Sequence, residues 1–291
     1  MRAEFEEKSY EQHLVFSLVH GRPLFFSPGQ VLENILGFDV ALRTTDRDFW
    51  NMFPTVMSWW RSIFFGYYPG TRLSRELWDH FEATIEDWPK FKFNCFIQAK
   101  RPSRMLRSDA AEYSSWRCTY FRYDTMPHQQ QALQSLAQRT LGTAIVVYAC
   151  PAFHTFAELT AAIKDRDLVK KSNFCEVEKL NGHKRYSFTR PGNEGFAHSD
   201  PIPVESRPFE QALDALQERD AARSNMDFLM ETGETIGDVA ENLGPLYQPF
   251  TAIANLLSQK IDGNLAKALA KIHAFEFVCN VQLLIGYEPP T

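Results

Sequence analysis

The chain has little cysteine: five in 291 residues, Cys95, Cys118, Cys150, Cys175 and Cys279. They are scattered, odd in number and form no C-x-x-C pair, which fits reduced thiols and argues against a disulfide framework or a zinc site. No apolar run approaches the roughly 20 residues of a membrane span. The start, Met1-Arg2-Ala3-Glu4-Phe5-Glu6-Glu7-Lys8, is charged and leads into a helix instead of a secretory signal. A cytoplasmic protein with no membrane partner is expected. Neither a P-loop nor a G-x-G-x-x-G is present, so chemistry driven by ATP or NAD is not indicated. Internal repeats and low-complexity tracts are absent too. With 44% hydrophobic and 23% charged residues, the composition is that of an ordinary globular protein, long enough for a sizeable core and a second, smaller module.

Aromatics are plentiful, and charge is unevenly spread. Five of the six tryptophans fall between Trp50 and Trp88. The overall charge is −5, but residues 97–123 hold Lys100, Arg101, Arg104, Arg107, Arg117 and Arg122 against Asp109 and Glu112. Residues 205–241 are strongly acidic. A basic patch beside an acidic site suits an enzyme acting on a polyanion, and a mixed solvated surface is the plain alternative.

The pattern along the chain predicts helix over 6–19, a short helix over 28–36 opened by Ser27-Pro28 and closed by Gly37, and a strand over 38–43. Residues 46–89 read as an aromatic insertion. A strand over 91–100 should pair antiparallel with 38–43. An Arg-rich excursion over 102–115, a strand at 116–123, a helix at 128–141, a buried strand at 143–149 and a helix at 156–164 follow. Asn181-Gly182 predicts a hairpin of 174–180 with 184–189. Residues 190–208 read as a loop or linker, and everything beyond as helix: 209–219, 225–230, 236–259 with an interruption at Gly244-Pro245, and 265–284. The expected organisation is an α/β core over 1–190, a linker over 191–208 and an α-helical C-terminal module over 209–291. The apolar spacing of that module is ordinary core, with docking of a partner subunit or self-association as the functional alternative.

The chemistry centres on Gln98-Ala99-Lys100. Alternation along a strand puts Gln98 and Lys100 on one face, at the end of an apolar and hence interior strand, where a lysine is costly. Upstream, Glu33 falls on the short helix and Asp39 at the start of the following strand. Two acids with a Q-x-K on adjacent elements make a Mg²⁺-dependent phosphodiesterase site: carboxylates bind the hard cation, the metal activates water, and a lysine offsets developing charge. Asp39 is the expected central metal ligand, with Glu33 and the carbonyl oxygen of Gln98 beside it and Lys100 as the catalytic cation. Asp87 competes with Asp39 for the central place, although Glu86-Asp87-Trp88-Pro89 reads as a turn.

The pattern Glu33…Gly37-Phe38-Asp39…Gln98-Ala99-Lys100 resembles the PD-(D/E)XK nuclease superfamily, in particular the Q-x-K branch of Mrr-like restriction endonucleases and bacterial defence nucleases. The resemblance covers residues 28–149. It implies a restriction-endonuclease-like mixed sheet flanked by helices and a Mg²⁺- or Mn²⁺-dependent endonuclease cutting DNA, as an effector of an anti-phage or restriction system. An inactive nuclease-like fold that binds DNA or a protein partner is the alternative, and RNA is a possible substrate. Arg101, Arg104 and Arg107 in the basic run are the expected substrate contacts. Gln131 joins them, because the helix after the lysine strand carries a site glutamine in some branches. His198 with its neighbours Ser199 and Asp200 lacks a nucleophile elbow and is assigned no role.

Overall fold

In the computed structural model, residues 1–21, 25–26, 79, 81–217, 223–258 and 263–287 are described. They form a mixed α/β structure with two five-stranded sheets. The first sheet has the order β1 (Phe25–Phe26), β10 (Gln282–Tyr287), β2 (Phe91–Ala99), β5 (Ala144–Pro151), β6 (Ser172–Glu176). The second is antiparallel throughout: β3 (Ser103–Met105), β4 (Tyr120–Asp124), β7 (Arg185–Phe188), β8 (Glu194–His198), β9 (Ile202–Glu205).

Strand alternation divides the interior in two. From β2, Phe91 and Phe96 enter one core, while Phe93, Cys95, Ile97 and Ala99 enter the other. From β5, Val146, Tyr148 and Cys150 join the first, and Ile145, Val147 and Ala149 the second. A strand buried on both faces needs this nearly unbroken apolar sequence. The first core is closed by α3 (Pro127–Arg139), α6 (Asn225–Ala240), α8 (Asn264–Cys279) and the second sheet. The second is closed by α1 (Glu7–Gly21), α4 (Phe156–Lys164) and α5 (Phe209–Gln217). A short helix α2 (Tyr113–Trp116) and α7 (Tyr247–Ser258) complete the set.

Helix starts follow local chemistry. Thr155 and Glu158 form a reciprocal capping box on α4, Ser224 caps α6, and Pro127 opens α3. Asn225 ties α6 to the start of β2: its Oδ1 accepts from Phe91 N at 2.9 Å and its Nδ2 donates to Ile85 O at 2.8 Å.

Four expectations are corrected. The strand partner of 91–100 is different: β10 lies antiparallel along one edge of β2, with Gln282 opposite Ile97, and β5 lies parallel along the other. Residues 38–43, with Glu33 and Asp39, lie outside the described residues. The helix expected through 284 stops at Cys279, where Asn280 takes a left-handed conformation, and the chain returns as β10 inside the first sheet. The hairpin around Asn181-Gly182 does not form. β6 pairs with β5 and β7 with β4, and a 3₁₀ turn over Val177–Leu180 carries the chain between sheets. The proposed linker contributes β8 and β9, because turn residues punctuate a meander as readily as they build a loop.

Helix α6 is continuous through Gly233, although an interior glycine costs about 1 kcal/mol in helix propensity. The reason is contact: a Cβ at Gly233 would stand 2.6 Å from Cα of Ala268 on α8. Gly233→Val is therefore expected to force these helices apart and lower the unfolding free energy by about 1–3 kcal/mol, measured by urea denaturation. An unchanged midpoint would contradict the close packing.

Candidate active site at the end of strand β2

Gln98 and Lys100 lie at the C-terminal end of β2, on the face that also carries Asn94 and Phe96. Lys100 follows the last strand residue, and its N–H still bonds the carbonyl of Ala149 at 2.8 Å, so the ladder holds it in place. Gln98 is 0% exposed. Its Nε2 donates to the carbonyl of Cys279 at 2.8 Å and to Oε1 of Gln129 at 3.0 Å. A backbone carbonyl only accepts, so the amide orientation is determined. The remaining atom, Gln98 Oε1, is buried with no hydrogen-bond partner among the described residues.

Lys100 is 6% exposed, and its Nζ lies 5.1 Å from the centroid of the Tyr148 ring. Among the described residues it makes no ion pair within 4.0 Å. Burial pushes its ammonium below the ordinary lysine pKa, while Glu7, Cys150 and Asp124 pull the other way. The ring is itself anchored, for Tyr148 donates its hydroxyl to Gln130 Oε1, and Gln130 Nε2 donates to the carbonyl of Val177 at 2.8 Å.

Two further carboxylates approach this end of the sheet. Glu7, in the first turn of α1, accepts from Arg101 N at 3.2 Å and from Asn280 Nδ2 at 2.8 Å. Glu276 accepts from Leu283 N at 2.7 Å and Gln282 Nε2 at 2.9 Å. Both are engaged in pinning chain crossings. Among the described residues no three His, Cys, Asp or Glu side chains gather in a group able to hold a metal. Of the expected metal ligands only Gln98 is described. Its orphaned carbonyl oxygen has the chemistry of a hard-cation ligand, and Glu33 and Asp39 would have to supply the charge.

The geometry also sorts the remaining candidates. Asp87 is exposed in the 3₁₀ turn Ile85–Asp87, before β2 begins. The length of the strand puts it ~30 Å from Lys100 at about 3.3 Å per residue, so it is no rival for the central place. Gln131 is exposed, and Gln129 is the glutamine that reaches Gln98. A helical reading of the buried residues of α3 would have found it: Gln129 precedes Leu133 by four positions and shares the face of Leu133, Leu136 and Ala137, whereas Gln131 does not. Glu7 and Tyr148 had no signal in spacing, because their approach to Lys100 depends on how α1 and β5 pack.

Three of the six cations of the basic run, Arg101, Arg107 and Arg122, meet carboxylates. Arg101 bonds Glu6 at 2.7 Å and the carbonyl of Ala3, and Arg107 bonds Asp109 at 2.6 Å, whereas Arg104 meets only the ring nitrogen of His154, at 3.3 Å. Arg122 and Arg185 converge on Glu112, at 2.9 and 2.7 Å. Burial would raise the pKa of Glu112, but hydrogen bonds from Tyr120, Arg185 and Arg122 outweigh it and bring it down to about 2. A depressed carboxylate pKa contributes stability that is complete above the unfolded value near 4.5 and is lost as pH falls through about 2. Glu112→Gln should therefore lower the melting temperature at pH 7 and flatten its decline between pH 4.5 and 2. The measurement is thermal unfolding of both proteins across that range; parallel curves would show that Glu112 is not the group responsible.

The chain matches no family model, no curated protein and no solved structure.

Proposed function

We propose that the chain is a metal-dependent endonuclease hydrolysing DNA phosphodiester bonds, with Lys100 as the catalytic cation and Gln98, Glu33 and Asp39 as the groups that would hold Mg²⁺ or Mn²⁺. The observation that carries this reading is the pairing of a buried ammonium and an orphaned carbonyl oxygen on one face at one strand end. Each is costly to leave uncompensated. A phosphate group would answer the first and a divalent cation the second. The bound metal supplies Lewis-acid stabilisation of the phosphoryl oxygens and an activated water. In this reading Lys100 stabilises charge that develops in the transition state, and the anchored ring of Tyr148 keeps the ammonium in position. The role of effector in an anti-phage or restriction system comes to this chain from the resemblance alone.

A second reading, an inactive nuclease-like fold serving as a DNA- or protein-binding subunit, is favoured by the amide of Gln98. Its Nε2 already joins β2 to the end of α8 and to α3, which is a structural task. Exposed Leu256 and Phe277 on the C-terminal helices suit a subunit contact in either reading. No described helix is long and apolar enough to cross a membrane.

Lys100→Met separates the two. It removes a desolvated charge while keeping an apolar stem of similar length, so the melting temperature should hold or rise. Plasmid cleavage with Mg²⁺ or Mn²⁺ should fall by about 10²–10³-fold. Cleavage at the parent rate in a folded Lys100→Met protein, or no cleavage by the parent protein of either DNA or an RNA of the same sequence, would overturn the enzymatic assignment.

A further inference from the structure

The arginines expected to meet substrate differ in what holds them. Arg101 is paired with Glu6 and Arg107 with Asp109. A carboxylate that fixes a guanidinium also cancels its charge. Arg104, on the edge strand β3, is half-buried and makes no ion pair among the described residues. Its Nη1 donates instead to Nε2 of His154, 3.3 Å away.

That bond settles the state of the ring. A guanidinium has no acceptor, so Nε2 is the unprotonated nitrogen and Nδ1 carries the hydrogen. Nδ1 lies 3.4 Å from Oε2 of Glu158. The same oxygen accepts from the backbone N–H groups of His154 and Thr155, at 3.1 and 2.9 Å, as part of the α4 cap. Burial would raise the pKa of Glu158, but the hydrogen bonds from Thr155 and His154 outweigh it and bring it below the ordinary carboxylate value. The imidazole is 7% exposed and engaged at both nitrogens, so it is a fixed part of the connection between β5 and α4.

The pair also lies at the right end of the sheet. β2 and β5 run parallel, with Ala99 opposite Ala149. Arg104 follows the C-terminal end of β2 and His154 the C-terminal end of β5, the side on which open α/β sheets place their ligands. Arg104 is four residues beyond Lys100, which keeps the two Cα atoms within about 14 Å. About four phosphates of one DNA strand cover that span.

We propose that Arg104 contacts a DNA backbone phosphate neighbouring the one at Lys100, and that His154 is its positioning residue. The neutral ring fixes the guanidinium without cancelling its charge, and Glu158 fixes the ring. The assignment rests on the nuclease reading of Lys100.

The test is fluorescence anisotropy of a short labelled DNA duplex titrated with the full chain over a range of salt, with Ca²⁺ in place of Mg²⁺ so that the duplex is not cut. Arg104→Gln should weaken binding about tenfold and lower the slope of log K against log salt by about 0.9, the share of one phosphate contact. His154→Leu should do the same, whereas His154→Gln, which offers Nη1 an acceptor again, should recover most of the affinity. With Arg104→Gln already in place, His154→Leu should change binding by less than about twofold, because the ring acts only through the guanidinium. Circular dichroism checks that each variant is folded. A slope unchanged by Arg104→Gln, or a full loss from His154→Leu in a chain already carrying Arg104→Gln, would overturn the proposal and leave Lys100 in its catalytic place. No binding of duplex or single-stranded DNA by the parent protein would overturn the nuclease reading itself, and this contact with it.

Discussion

The insertion of β10 between β1 and β2 is the constraint on which the rest of the structure depends. A central strand must have both rows of its peptide groups paired, because an orphaned N–H or C=O in the interior costs as much as a lost hydrogen bond. β5 satisfies one row of β2, and β10, from the far end of the chain, satisfies the other. The first sheet is therefore complete only when the last strand is in place. That strand also determines where α8 ends, and so where the Cys279 carbonyl meets Gln98.

The same closure shapes the candidate site. Glu276 and Asn280 sit at the turn between α8 and β10. There Glu276 binds the backbone of Leu283, and Asn280 reaches Glu7 on the first helix. Glu7 in turn holds the backbone of Arg101, next to Lys100. The two ends of the chain thus converge on the end of β2 that carries the buried lysine. Lys100 is desolvated because these crossings wall it in, and what it gains in return is the ring of Tyr148. A charge kept in such surroundings without an ion pair among the described residues is not there to stabilise the fold, because its desolvation is not offset.

Polar satisfaction is uneven along β2, and the unevenness has a pattern. Asn94 and Gln98 both spend their amide nitrogen on a structural bond and leave their carbonyl oxygen unmet. They share a face of one strand, four residues apart, with Phe96 between them packed against Phe275. Most buried polar groups in folded proteins find a partner. Asn94 and Gln98 are two of several buried side chains that leave a polar atom unmet, and they share their strand face with the buried Lys100.

Much of the local structure was legible in the sequence because its causes are local. Helix α4 matches its expected span, since Thr155 and Glu158 cap it, and Pro127 marks the start of α3. The apolar run over β2 and the β-branched run over β5 declared buried strands, and Gln98 with Lys100 was identifiable as an interior oddity. Partner choice was not legible. Which strand lies beside β2, whether Asn181-Gly182 closes a hairpin or a crossover, and which glutamine of α3 faces the site are settled by packing between elements distant in the chain, such as β2 with β10, β4 with β7 and β2 with α3. The sequence alone determined that a lysine would be buried at the end of a strand. Only the tertiary structure decided that a C-terminal strand, Gln129, Tyr148 and Glu7 would surround it, because each side chain's direction depends on the docking of an element whose own sequence is compatible with several neighbours.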